Sequence, residues 1–122
     1  MIIMEVVEII KALSDVTRLR ILNLLNQETL CVCDLEAVLQ ISQSNASRHL
    51  IKLRQARLIS SEKQAQWVYY RLDEACMAKY PFVRELLDRE LVKEPAGQRD
   101  TDRLKKYRAM GGGCERTVII PD

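Results

Sequence analysis

Much of what would give a small protein a membrane, a secretory route or an enzyme's chemistry is missing from these 122 residues. The longest apolar runs are a few residues, far short of the roughly 20 that span a bilayer. The apolar start "MIIMEVVEIIKAL" is interrupted by Glu5 and Glu8, and no small-residue cleavage site follows it. It therefore reads poorly as a signal peptide, and the expected compartment is the cytoplasm. No glycine-rich phosphate loop and no carboxylate cluster is present, which removes the usual supports for catalysis. The four cysteines (Cys31, Cys33, Cys76, Cys114) contain no C-x-x-C pair, and no His or Lys stands beside the single C-x-C. A thiol-transfer enzyme is thereby disfavoured, and the expectation is a non-enzyme with no organic cofactor. In a reducing compartment such cysteines are free thiols or metal ligands rather than disulfides.

What is present is concentrated. The net charge is only +2, yet residues 48–71 hold Arg48, Lys52, Arg54, Arg57, Lys63 and Arg71 against Glu62 alone. That local excess suggests a polyanion met on one face.

Periodicity gives the organisation. Ile3, Val6, Val7, Ile10 and Leu13 form a helical stripe. A second helix follows "SDVTRLRILNLLNQ", with Ser14 or Asp15 as N-cap and Leu19, Leu22 and Leu25 inward. A third fits residues 31–39, burying Leu35, Val38 and Leu39. Ser42 can cap a fourth that runs to about Gln55 with Ala46, Leu50 and Leu53 inward. The period then changes to two over Trp67–Leu72, and a strand at 58–62 can pair with it as a hairpin. Helix returns after residue 74. Pro81 suits its start, and Val83, Leu86, Leu87 and Leu91 form its stripe. Pro95-Ala96-Gly97 reads as its end.

The expected architecture is mainly helical α+β, a winged helix-turn-helix with a two-stranded wing over residues 1–94. A partly flexible tail over 95–122 is expected to carry Cys114 behind three glycines, with one short helix at 99–109. On the fourth helix Gln43, Ser44, Asn45, Ser47 and Arg48 occupy the first two turns. Short polar groups and a guanidinium there suit base edges and phosphates in a major groove. Lys52 shares that outward half, and Lys63 and Arg71 on the wing would follow the DNA backbone. His49, the lone histidine, fits either polar packing or a phosphate contact. Ile51 could touch a thymine methyl or pack under the wing.

The segments "ALSDVTRLRIL", "LCVCDL", "SQSNASRHLIKLRQARLI" and "YYRL" are similar to the ArsR/SmtB family of metal- and metalloid-responsive repressors, over about residues 5–92. The resemblance implies a homodimer joined through its first and last core helices. It implies a repressor seated on an inverted-repeat operator in double-stranded DNA and released by its inducer. It also implies that "CVCDL" is a metalloid site for trivalent arsenic or antimony, with cadmium or lead sensing as an alternative. Zinc-type members use His and carboxylates on the last helix, which here carries no histidine. Many arsenic-responsive members have a third cysteine where this chain has Glu36, so a third thiolate would come from Cys114 or Cys76, or be absent. With two thiols only, a methylated arsenical fits better. A redox- or persulfide-sensing repressor of the same fold is the other reading. Val16 replaces a frequent proline, and the wing turn "KQAQ" lacks the usual glycine.

Cys31 and Cys33, two positions apart, lie about 200° apart around an ideal helix. On that geometry one ion cannot reach both unless the first turn unwinds, and unwinding would disturb the recognition helix next to it. A helix N-terminus also lowers a thiol's pKa.

Overall fold

The computed structural model describes residues 2–116 and 118–121, and the side chains of Ile2 and Ile3 lie outside that description. Among the described residues, four α-helices precede a hairpin and three follow it, in the order of a winged helix-turn-helix with an added C-terminal helix. Helix α1 spans Ile2–Leu13 and α2 spans Val16–Leu25. Asp15 starts α2 by accepting the Arg18 N–H at 3.0 Å, so Asp15 rather than Ser14 is the cap. Helix α3 covers Val32–Leu39 and ends at Gln40, whose left-handed backbone (φ 57°) satisfies the turn into the next helix. Ser42 then caps α4, Gln43–Gln55, accepting the Asn45 N–H at 3.1 Å.

The hairpin pairs β2 (Ile59–Gln64) with β3 (Trp67–Leu72), from Ile59 opposite Leu72 out to Gln64 opposite Trp67. One strand was not expected. β1, Leu30–Cys31, pairs antiparallel with Tyr70 and Tyr69 of β3, so the sheet has three strands in the order β1-β3-β2. Two residues carry no readable alternation, which is why the sequence concealed it.

Past the wing, α5 (Glu74–Lys79) and α6 (Pro81–Glu85) each form short pieces. The expected single helix after Pro81 widens into a π turn at Leu86–Glu90 and tightens to 3-10 at Leu91–Lys93. Pro95 does not end it. Its ring stands at the first position of α7, Pro95–Ala109, a helix start being the one place where a missing N–H costs nothing. The stretch expected as a tail is thus a fifteen-residue helix laid on α2 and α3, with Leu104 and Tyr107 buried.

The core collects Ile21, Leu22 and Leu24 of α2, Leu35 and Val38 of α3, Leu50 and Leu53 of α4, Leu58, and Val83 and Leu87. Each fully buried Leu contributes about 1.5–3 kcal/mol. The α1 stripe behaves differently. Ile9 and Ala12 enter the core, while Met4, Val7 and Ile10 stay exposed on the outer side.

Candidate thiol centre and nucleic-acid interface

Cys31 is not in the helix that sequence periodicity assigned to it. Its backbone is extended (φ −98°, ψ 172°), and it closes β1 at the N-cap of α3. The 100° step applies only inside the helix, so the expected divergence of Cys31 and Cys33 disappears. Their sulfurs and that of Cys114 all lie within 4.8 Å of one another, without any unwinding of α3. Cys31 and Cys114 are joined as a disulfide, with their Cα atoms 6.5 Å apart, and Cys33 remains a half-buried free thiol. Cys76, the alternative third sulfur, is buried at the start of α5 as a core residue outside this cluster.

The three glycines place Cys114 rather than loosen it. Gly111 takes a left-handed φ of 83°. At Gly112 an added Cβ would stand 2.5 Å from the Tyr107 ring, so only glycine lets the chain pass over that aromatic face. Gly113 and Arg116 then bridge through 2.8 and 3.1 Å backbone bonds, leaving Cys114 at the tip of a small turn.

The support of this centre was not anticipated. Asp34, 1% exposed, accepts the Cys31 N–H at 3.0 Å. Arg108 of α7 grips the same carboxylate at 3.1 and 3.2 Å, donates to Glu28 at 2.7 Å, and donates to the Gly112 carbonyl at 3.0 Å. The only available signal was the acid three residues after an N-cap, the pattern of a capping box. Arg108 lies 74 residues from Asp34 and gave none.

The electrostatics also differ from expectation. Burial raises the Cys33 pKa, and the carboxylates of Glu36 and Asp34 push the same way, so the helix-terminus lowering does not prevail at this thiol. Tyr107 is pushed up to about 12, chiefly by burial and then by Asp34.

On the opposite element, α4 presents Gln43, Ser44, Arg48 and Lys52 to solvent, with Asn45 and Ser47 half-exposed. Arg48 donates to Asn45 at 2.6 Å. Lys63 and Arg71 are exposed on the wing, Arg71 donating to Ser60 at 3.4 Å, and Ile51 is exposed instead of packing under it. His49 is the exception among the expected DNA contacts. It is buried between α4 and the start of α2, with Nδ1 3.3 Å from Arg18 and 3.8 Å from Asp15. Its spacing from Arg48 turns it inward, and burial lowers its pKa despite Asp15.

The profile described as "Bacterial regulatory protein, arsR family" matches residues 15–61, from the cap of α2 into β2. The arsenical resistance operon repressor of Staphylococcus aureus is 38% identical over 73 residues, covering 60% of this chain and 70% of that protein. The chain belongs to the arsR family. The arsenical resistance operon repressor of Escherichia coli K12 is 48% identical over 67 residues, covering 54% of this chain and 57% of its own length. Of several curated relatives that it matches, the chain spans little more than half the length. Among solved structures, the winged helix-turn-helix DNA-binding domain of a possible ArsR-family regulator from Mycobacterium bovis superposes with a TM-score of 0.63. It is 25% identical and covers 77% of this chain and 88% of that one. Among the described residues no helix is long and apolar enough to cross a membrane.

Proposed function

We propose that this arsR-family chain is a DNA-binding repressor that releases its operator when trivalent arsenic, or antimony, is captured by Cys31, Cys33 and Cys114. The observation that carries the reading is the convergence of three sulfurs, two from the front of α3 and one from beyond α7. Three converging thiols suit a soft, thiophilic ion, and a trivalent one matches their number. The S. aureus and E. coli relatives are both arsenical resistance operon repressors, in agreement with that chemistry.

Capture replaces hydroxide by thiolate, As(OH)3 plus three thiols giving the trithiolate and three waters, with no electron transferred. The Cys31–Cys114 pair must first be reduced by two electrons, which a cellular dithiol supplies. Bonding then draws the sulfur triangle together. Cys31 is at once the cap of α3 and the partner of Tyr69 in the wing strand β3. Contraction therefore shifts both the support of α4 and the set of the wing. Gln43, Ser44, Asn45, Ser47 and Arg48 lose register with base edges, and Lys52, Lys63 and Arg71 lose phosphates. The resting helix need not unwind.

Register matters because the reader is a homodimer on an inverted repeat. The outward Met4, Val7 and Ile10 of α1, with the exposed Phe82 of α6, supply apolar surface for a two-fold contact. The M. bovis domain is homodimeric.

The test is fluorescence anisotropy on duplex from the gene's own promoter, in a thiol-free phosphine reductant. Arsenite releases wild type, while a Cys31→Ser/Cys33→Ser double variant binds the duplex and stays bound. Release of that variant by arsenite refutes the reading. The disulfide itself favours a second reading, in which hydroperoxide oxidises Cys31 and Cys114 and thereby changes DNA affinity. Release of the wild type by peroxide after the phosphine has been removed, and not by arsenite, would select it.

A further inference from the structure

Nothing in the thiol triangle alone fixes Cys114 to it once the disulfide is reduced. One polar link between the two runs through a guanidinium, beside the Tyr107 hydroxyl that donates to the Gly113 carbonyl at 3.3 Å. Arg108 Nη1 donates to the Gly112 carbonyl, two residues before Cys114, at 3.0 Å, and to Asp34 Oδ1 at 3.2 Å. Its Nη2 donates to Asp34 Oδ2 at 3.1 Å, and that same oxygen accepts the Cys31 N–H at 3.0 Å. Nε anchors the fork on Glu28 at 2.7 Å, in the turn that enters β1. The loop of Cys114 is thus bonded to this planar cation directly, and the backbone of Cys31 through Asp34, in a fork geometry that no lysine reproduces.

Resting on the thiol-centre reading above, we propose that Arg108 is the positioning residue that makes the centre a three-thiol site, and so sets its preference for inorganic over organic trivalent arsenic. Inorganic arsenite exchanges three hydroxides and needs all three sulfurs. Phenylarsine oxide has one valence committed to carbon; it takes two thiols and releases one water. Cys31 and Cys33 suffice for it: both are carried by the β1–α3 junction, where Asp34 accepts the Cys31 N–H within the capping box itself, while only the Cys114 loop bonds Arg108 directly. Removing the fork frees the Cys114 loop and converts a three-sulfur centre into a two-sulfur one.

Two variants reach the loop from different sides. Arg108→Gln removes the fork. Gly112→Ala keeps Arg108 but drives a methyl into the Tyr107 ring and displaces the turn. Dissociation constants are measured for arsenite and for phenylarsine oxide on reduced protein, beside thermal unfolding of each variant. Both variants are expected to weaken arsenite at least about tenfold, while phenylarsine oxide stays within about twofold of wild type. A merely structural role would weaken both ligands together, and that outcome overturns the proposal. So does a wild-type arsenite affinity in either folded variant. Wild type that binds arsenite no better than Cys31→Ser/Cys33→Ser refutes the thiol centre itself, a result separable from the other two.

Discussion

At Cys31 an extended backbone directs the sulfur back toward Cys33, and protonation then decides how the pair responds to different ions. Burial and two neighbouring carboxylates keep Cys33 protonated at neutral pH. Arsenite exchanges hydroxide for thiol as water, so its binding releases no net proton. A divalent cation such as cadmium must expel the thiol protons. Arsenite affinity is therefore expected to stay nearly flat from pH 6 to 8, while cadmium affinity climbs with pH, as isothermal titration in two buffers would show. His49 gives a second pH dependence. Its pKa is lowered in the fold by burial, so the unfolded chain takes up the proton first. Stability is full above the unfolded value of about 6.5 and falls as pH drops through it toward the folded value. Urea midpoints should decline below that pH, and less so in His49→Gln. A flat wild-type profile would contradict the burial of this ring.

Among the elements, the wing turn carries a residue in a costly conformation. Ala65 has φ 56°, the left-handed region that a two-residue hairpin turn requires and a Cβ resists. Ala65→Gly is expected to raise stability by about 0.5–1 kcal/mol, the relief of strain exceeding glycine's entropy in the unfolded chain. Chemical denaturation measures it, and a loss of stability would contradict it. The missing glycine of this turn was visible in the sequence. So were both ends of α4, because a serine cap, an inward Ala46–Leu50–Leu53 stripe and a basic last turn all agree. Pattern reading failed where an element is too short to have a period, as in β1, or where one signal has two meanings. Pro95-Ala96-Gly97 stops one helix as readily as Pro95 starts another, and only the burial of Leu104 and Tyr107 chooses between them. At the thiol centre the residue types were legible and the geometry was not. Cys31 lies outside the helix, where helical spacing does not hold.

Across the whole molecule, the first and last thirds of the chain are joined by ionic contacts that no local pattern announces. Arg20 of α2 grips the fully buried Asp100 of α7 with two bonds of 2.8 and 2.9 Å, across 80 residues. Together with Arg108 it holds α7, and hence Cys114, against the core. Arg20→Met leaves Asp100 buried without its cation and is expected to cost about 3 kcal/mol, at the lower end for a broken buried pair because the Arg20 side is partly solvated. Thermal unfolding checks it, and an unchanged midpoint would mean α7 is held by its apolar face alone. The sequence reading of 95–122 as a tail missed this, since a segment with few apolar residues is docked here by two arginine–aspartate clamps.

The central claim is that α3 and the segment beyond α7 build one three-sulfur centre. Arsenic-edge X-ray absorption on the reduced protein loaded with arsenite tests it most directly. Three sulfurs are expected around arsenic in wild type and two, with an oxygen, in Cys114→Ser. Three sulfurs in that variant, or only two in wild type, would contradict it.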